Sequence, residues 1–406
     1  MRVDYCRLCK KGRLSEPKLK FPPTPLANEY LKVPVPQEFF PLEVCVCTTC
    51  GHYQLNESID PARLFSTYSY VAGHSAANIA HFRDSAKHQV EKFNFPHGIR
   101  VLDIASNDGT LLKVFKDLGM DILGIDPAQN LAAEANAQGI TTIADFFTAA
   151  RAITLEKEQG KFNLVTANNV FAHVPDLEDF AKGVKVMLAS EGVFSFEVSY
   201  FVDVCDKALF DTIYHEHSSY HTLSPLVPFF ERLGMELFDV EHLPNHGGSV
   251  RVYVRNKGAA IEGRDGGAAR LKELLEQERT IEDKVNALQN KIDHLRQELL
   301  GKLHALKAVG KSIAIYGAPA KATTLMYAFG LDSSIIDFVV DDAPLKQGMY
   351  MPGTHIPIVA ASAIPERKPN VLLVLAWNFA DSIMRKHPEF MGVWIVPLPR
   401  LTIVTT

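Results

Sequence analysis

Four cysteines near the start of the chain, and three polar, aromatic-rich stretches further along, carry side chains that a folded core does not require. Cys6 and Cys9 form one CxxC pair, and Cys47 and Cys50 form another. Each pair can present two thiolates to one tetrahedral ion. Four thiolates leave no open coordination position, so a zinc ion bound there holds the fold and does not catalyse. The other reading is unpaired structural or redox-active cysteines. Cys45 and Cys205 stand outside both pairs and are expected to be buried apolar residues.

The polar stretches are STYSYVAG with Tyr68 and Tyr70, NNVFAHVP with Asn168 and His173, and YHEHSSY with Tyr214, Glu216, His217 and Tyr220. In YHEH the two histidines are two residues apart, whereas a zinc-binding HExxH helix needs them one helical turn apart, so no second metal is implied. A histidine that is neutral near pH 7 is a competent general base, and a neighbouring carboxylate and phenols can orient it and bind an oxyanion. Taken singly, His173 or His217 also reads as an ordinary hydrogen-bonded histidine. Their clustering with Tyr68, Tyr214 and Glu216 is what points to catalysis.

These residues need a frame, and the pattern between about residues 100 and 255 supplies one. VLDI, DILGID, FNLVTAN and GVFSFEV are apolar runs separated by helical segments, the alternation of βαβ units in a parallel sheet covered on both faces. The first strand runs into Asp103-Ile-Ala-Ser-Asn-Asp-Gly109 and then a helix, so a tight turn and a helix N-terminus lie where such a sheet binds its cofactor. Asp126 closes the next strand, where a carboxylate can accept from both ribose hydroxyls of an adenosine. Asp145, Phe146 and Phe147 combine an acceptor for an adenine amino group with aromatic surface. Each acid alone serves equally as a helix cap or solvated turn. Together they favour an adenosine pocket over a dinucleotide site or a vestigial fold, because Ala105 and Ser106 crowd the path a pyrophosphate would take. SVRVYVR at 249–255 predicts a hairpin or edge strand, and residues 262–308 predict a long amphipathic helix packed on its own protein rather than an intermolecular coiled coil. The last hundred residues alternate again, giving a second, smaller doubly wound α/β domain.

The expected fold is thus α/β in three parts: a zinc-binding module over 1–65, a Rossmann-like domain over 66–260, and a long helix plus the smaller α/β domain over 261–406. The chain has 406 residues, 47% of them hydrophobic and 22% charged, with a net charge of -5. It therefore lacks the basic field that attracts nucleic acid or an anionic membrane, and neither is expected as a partner. No run of eighteen apolar residues occurs and the first twenty residues carry charges, so a cytoplasmic monomer acting on small molecules is expected.

The cofactor turn resembles motifs I and II of the class I S-adenosylmethionine methyltransferases. That resemblance implies that Asp103, Ala105, Asn107 and Gly109 lie along the methionine and ribose, with Asp126 on the ribose; Ala105 stands where many members have Gly. The order CxxC, CxxC, STYSYVAG, VLDIASNDGTLL, NNVFAHVPD, YHEHSSYHT, NHGGSVRVY and YGAPAKATTLM is similar, along nearly the whole chain, to the sugar C-methyltransferases that act on nucleotide-linked 4-keto-deoxysugars. It implies S-adenosylmethionine and a structural zinc as cofactors, and His217 as the base that forms an enolate at C-3. Tyr214 and Glu216 would hold the sugar or the base, and His173 and Tyr68 would position the ketone, enolate or methyl donor. The C-terminal domain would help to bind the nucleotide, through Tyr316, Gly317 and Lys321, with His246 and Arg251 on the substrate side and Tyr70 and Tyr220 beside the sugar. A plain strand-to-helix turn with a solvated lysine remains the other reading of YGAPAK. Methylation of another carbon or an oxygen, a zinc-ribbon nucleic-acid-binding protein, and a binding protein without turnover are the competing functions.

Overall fold

A computed structural model describes every residue except Ser69, Asp265 and Thr406, so Ser69 of STYSYVAG lies outside the described residues. Three sheets organise the rest. The N-terminal sheet begins with β1 (Leu19–Thr24), β2 (Phe40–Val46) and β3 (Tyr53–Leu55) in antiparallel order. Its fourth strand, Ser219–Tyr220, comes from the YHEHSSY segment and pairs with β3. The zinc-binding module is therefore stitched to the stretch that carries His217. Helix α1 (Pro61–Phe65) starts with Asp60 accepting from the Ala62 amide and Pro61 in the first turn, and Ser75 caps α2 (Ala76–Lys92) in the same way.

The central domain runs β4 (Arg100–Ile104), α3 (Thr110–Asp117), β5 (Asp121–Asp126), α4 (Gln129–Ala137), β6 (Thr142–Ala144), α5 (Ala149–Gln159), β7 (Phe162–Asn168), α6 (Leu177–Met187) and β8 (Leu188–Ser199). After α7 (Phe201–Asp206), β9 (the Ser219–Tyr220 strand) and α8 (Leu226–Arg232), the hairpin β10 (Met235–Leu243) and β11 (Ser249–Asn256) completes its sheet. The strand order is β6-β5-β4-β7-β8-β11-β10, and every pairing is parallel except those of β11. SVRVYVR is thus the expected hairpin strand, but it sits inside the sheet between β8 and β10 rather than at its edge. Alternate residues of one strand feed opposite layers: Leu102 and Ile104 join one core and Val101 the other. Both faces are covered, which is why the strands read as continuous apolar runs. The order reverses beside β4, so the crevice beyond the ends of β4 and β7 is the binding position that this topology favours.

The expected long helix is two. α9 (Gly267–Gln277) and α10 (Ile281–Ala308) are joined by a 3-10 turn at Glu278–Thr280. The break has a cause: the buried Glu278 carboxylate turns inward to accept from the Leu223 and Ser224 amides at 2.6 and 2.7 Å and from the Tyr200 hydroxyl at 3.0 Å. α10 spends its apolar stripe, Val285, Leu288, Ile292, Leu299 and Leu303, on the chain's own core. The C-terminal domain follows with β12 (Ile313–Tyr316), α11 (Ala320–Phe329), β13 (Phe338–Val340), β14 (Ile358–Val359), α12 (Ala363–Arg367), β15 (Val371–Val374), α13 (Ala380–Lys386), β16 (Val393–Val396) and β17 (Thr402–Thr405). Its order is β14-β13-β12-β15-β16-β17, parallel but for β17. Among the described residues no helix is long and apolar enough to cross a membrane.

Cys6, Cys9, Cys47 and Cys50 converge with their sulfurs within 4.8 Å of one another. Cys6 and Cys50 are 3.7 Å apart and Cys9 and Cys47 3.6 Å, across rather than within the knuckles. Tetrahedral zinc–sulfur bonds of about 2.3 Å space sulfurs by roughly 3.8 Å, so the donor set fits a structural zinc. Gly12 permits the approach, since a Cβ there would lie 2.1 Å from the Cys47 sulfur. Cys45 and Cys205 are buried elsewhere, and burial pushes their thiols up to about 11 and about 12.

Two outcomes test this architecture. Glu278→Ala strands the buried Leu223 amide, the Ser224 amide and the buried Tyr200 phenol, and in a urea melt it is expected to cost roughly 3 kcal/mol. Elemental analysis of the purified chain is expected to find one zinc per molecule, lost in Cys47→Ser together with resistance of residues 1–60 to proteolysis.

Candidate active site

The turn after β4 is unusual in its backbone. Ala105, Asn107 and Gly109 adopt φ of 55°, 55° and 78°, so two residues with a Cβ occupy the left-handed region in which Gly is at ease. Side chains hold them there. Asp126 accepts from the Asn107 amide and, through its other oxygen, from the Ala128 amide, both at 2.8 Å. The Asn107 side chain accepts from the Ala72 amide at 2.9 Å and donates to the Tyr70 carbonyl at 3.1 Å. Asp108 accepts from the Gly73 amide at 3.0 Å. Tyr68 is tied at its backbone to Asn130 of α4, so Tyr68, Tyr70, Ala72 and Gly73 are laced to the cofactor turn and α4.

Asp103 and Asp126 lie side by side below this lacing, both buried. Burial pushes the Asp103 carboxyl up to about 7 against a hydrogen bond from Thr166, and it raises Asp126 as well. Both amide atoms of Asn168 and the Ser106 hydroxyl are buried and find no partner among the described residues. Unmet donors and acceptors at the carboxyl edge of β4 and β7 fit a polar ligand such as the methionine and ribose of S-adenosylmethionine. Asp145 is exposed and pairs with Arg151 at 3.1 Å, and Phe146 is half-buried. Phe147 instead packs its ring on Phe180 of α6, with centroids 5.3 Å apart.

Across the crevice the sequence-predicted cluster assembles in part. Tyr214 stacks on His217 with ring centroids 4.2 Å apart, and His173 meets the same imidazole at 4.7 Å. Nδ1 of His217 lies 2.7 Å from the Thr212 carbonyl. A carbonyl only accepts, so Nδ1 carries the proton and Nε2 keeps its lone pair. The Tyr214 hydroxyl donates to that lone pair at 3.1 Å. Burial, with His246 and Lys321 nearby, holds the His217 imidazolium down to about 4, and burial depresses His173 further. Glu216 accepts from the Tyr68 hydroxyl at 2.9 Å and from Asn28 at 2.6 Å, and burial lifts its carboxyl to about 7 in spite of both bonds. Burial likewise keeps the Tyr68 and Tyr214 phenols protonated. The arrangement sets a neutral imidazole against Tyr214 and His173, while Tyr68 and Glu216 form a second bonded pair whose carboxyl group lies close to Tyr214.

The remaining sequence-predicted residues divide. Lys321 reaches the cleft, 3.6 Å from Asp211, and its charge is felt at His217 and His246. His246, at φ 54°, caps the β10–β11 corner; it is solvent-accessible yet walled on its other sides, and this lowers its imidazolium. Arg251 is buried beneath the cleft and pairs with Glu197 at 3.0 Å and Glu241 at 3.2 Å. Gly317, at φ 95°, turns the chain so closely against Ala376 that a Cβ would sit 2.6 Å from it. Tyr316 points to the far layer of the C-terminal sheet, where its hydroxyl binds Asp342 and His387. Tyr220 packs on Phe201 in the core behind β9, away from His217. Tyr70 is 49% exposed at the crevice mouth.

Sequence reasoning missed Asn28, delivered by the proline-rich loop of the N-terminal module, and Thr212, whose backbone carbonyl meets Nδ1 of His217. It also missed Glu197 at the end of β8, which His81 approaches at 2.8 Å. Burial works to raise the Glu197 carboxyl, but His81 and Arg251 more than offset it and hold it down. None of these lies in a recognisable motif; only their tertiary neighbours reveal them.

Family comparisons match all three parts of the chain. Residues 6–65 match a zinc binding domain, 79–240 a methyltransferase domain, and 244–399 the C-methyltransferase C-terminal domain. The C-methyltransferase NovU of Streptomyces niveus is 35% identical over 409 residues, covering 99% of this chain and 97% of NovU. A ubiquinone biosynthesis O-methyltransferase of Bradyrhizobium diazoefficiens is 31% identical over 123 residues, only 28% of this chain and 47% of that protein. Among solved structures, the PH0226 protein of Pyrococcus horikoshii aligns over 50% of this chain and all of its own, at 15% identity and a TM-score of 0.38. The full-length likeness, the three matched domains and the cofactor crevice place the chain in the family of S-adenosylmethionine-dependent C-methyltransferases.

Proposed function

We propose that the chain methylates C-3 of a nucleotide-linked 4-keto-deoxysugar through an enolate, with His217 as the base. The observation that carries this reading is the His217 tautomer: Nδ1–H is bound to the Thr212 carbonyl at 2.7 Å, so Nε2 faces the cleft as an acceptor. A carbonyl at C-4 acidifies the C-3 proton, and a buried neutral imidazole can take it without first losing a proton of its own. Asp103, Ala105, Asn107, Gly109, Asp126, Asn168 and the Asp145–Phe147 stretch would hold S-adenosylmethionine, which supplies an electrophilic methyl group when bound. As Nε2 accepts the C-3 proton, the C–H electron pair moves into the enolate. The enolate carbon at C-3 would then be the nucleophile for the methyl group that bound S-adenosylmethionine would supply.

Tyr214 occupies the Nε2 lone pair in the free protein; once the sugar displaces it, its hydroxyl is free to donate to the ketone oxygen, where charge develops. Tyr68 and Glu216 position the other face of the sugar, and His173 closes the wall beside the base. Lys321 supplies positive charge for the diphosphate and the neutral His246 a hydrogen bond, on the side where the C-terminal domain meets the central one. The burial of Tyr316, Tyr220 and Arg251 supports a role in shaping this cleft rather than contact with the sugar. The relative NovU, a C-methyltransferase that aligns over 99% of this chain and 97% of its own, supports carbon over oxygen as the acceptor.

The test is incubation with methyl-labelled S-adenosylmethionine and a panel of nucleotide-linked 4-keto-deoxysugars in deuterated water, followed by mass spectrometry. Label on the methylated sugar, and deuterium at C-3 of the sugar left unmethylated, are expected, with both slowed by 10²- to 10⁴-fold, as an order of magnitude, in His217→Asn. Label on oxygen, or unchanged exchange in that variant, would contradict the proposal. Because the His217 imidazolium is held down to about 4, the base is present above that pH; the acid limb of the rate profile is expected near pH 4 and not at the 6.5 of an ordinary histidine.

A further inference from the structure

Two hydrogen bonds cross from the C-terminal domain to the segment that holds His217. The indole N–H of Trp377 donates to Asp211 at 2.6 Å, and the Thr324 hydroxyl of α11 donates to the Ile213 carbonyl at 2.7 Å. Both acceptors flank Thr212, the residue whose carbonyl takes the Nδ1 proton of His217. The Asp211 carboxylate is 1% exposed. The Lys321 ammonium lies 3.6 Å from Asp211 and 4.2 Å from the centre of the Trp377 ring. The indole is itself confined, since a Cβ on Gly247 of the central domain would meet it at 3.1 Å. Residues 210–212 form one 3-10 turn, so pinning position 211 by its side chain and position 213 by its carbonyl leaves the Thr212 carbonyl a single direction.

We infer that Trp377, Asp211 and Thr324 are positioning residues for the base: the C-terminal domain fixes the 211–213 turn, and the turn fixes the tautomer of His217. The inference rests on the reading of His217 as the base. A neutral imidazole has two tautomers, and only the one protonated at Nδ1 can accept a proton at Nε2. An unanchored turn lets the Thr212 carbonyl wander, and the wrong tautomer then competes. The C-terminal domain thereby acts on the chemistry itself as well as on the nucleotide.

The test uses the full chain labelled with nitrogen-15 histidine, in which His217→Asn identifies the His217 resonances by their disappearance. Wild-type His217 is expected to show a protonated Nδ1 and an unprotonated Nε2 at pH 7. In Trp377→Phe/Thr324→Val, which removes both donors but keeps similar volume, the two nitrogens are expected to shift toward each other as tautomers mix. The kcat for C-3 deuterium exchange into a nucleotide-linked 4-keto-6-deoxysugar is expected to fall about tenfold with KM changed less than about twofold. Asp211→Asn, whose amide oxygen still accepts the indole N–H, is expected to keep the wild-type tautomer and most of the kcat. Unmoved nitrogen shifts with unchanged kcat in the folded double variant would overturn the inference, as would loss of the tautomer in Asp211→Asn alone. If the double variant does not fold, Trp377→Phe decides by the same two readouts. Exchange that survives in His217→Asn defeats the base assignment instead, and it does so without touching the tautomer result.

Discussion

A carbonyl oxygen can only accept a hydrogen bond, and at Thr212 this constraint dictates which nitrogen of His217 carries the proton. Much of the surrounding structure serves that contact. Packing walls around the imidazole lower its proton affinity, so it stays neutral well below pH 7. His173 and Tyr214 form two of them, and the segment after His217 continues as β9 into the N-terminal sheet. Burial of a histidine without a partner would leave polar atoms unpaired, at a cost of about 1–3 kcal/mol each. Here Thr212 and Tyr214 satisfy both nitrogens.

The three domains converge on this cleft rather than merely adjoining it. The N-terminal module contributes Asn28, which with Tyr68 fixes both oxygens of Glu216. Its zinc cluster is remote from the reaction, yet it anchors the sheet that β9 completes. The central domain contributes the strained turn at Ala105–Gly109, held by Asp126 and by the laced segment 68–73. Tyr68 belongs to that segment and also bonds Glu216, so one residue ties the segment beside the cofactor turn to the YHEH stretch. The C-terminal domain contributes Lys321 and the two bonds that pin the 211–213 turn.

What could be read from the sequence was what local spacing encodes. Paired CxxC knuckles, a strand ending in a tight acidic turn, and alternating apolar runs each follow from neighbours within a few residues, and these gave the zinc site, the cofactor crevice and the α/β layering. The break at Glu278 was hidden because the residue is a good helix former, and only its capture of the Leu223 and Ser224 amides, far away in sequence, bends the chain there. β11 read as an edge because its residues alternate in type, and nothing local reveals that β8 and β10 lie on either side. Tyr220 and Tyr316 looked functional by proximity to motifs, but a strand sends successive side chains to opposite faces, and theirs face the core. Asn28, Glu197 and Trp377 sit in no motif, and their roles exist only through tertiary contacts.

The distance from the base to the reacting carbon is measured most directly in a structure of the protein with S-adenosylhomocysteine and a nucleotide-linked 4-keto-deoxysugar. The assignment of His217 as the base requires C-3 of the sugar about 3–3.5 Å from Nε2 of His217, with the ketone oxygen in reach of a phenol and the sulfur above the same carbon. A sugar bound with C-3 out of reach of His217, and another acid or base in its place, would contradict it.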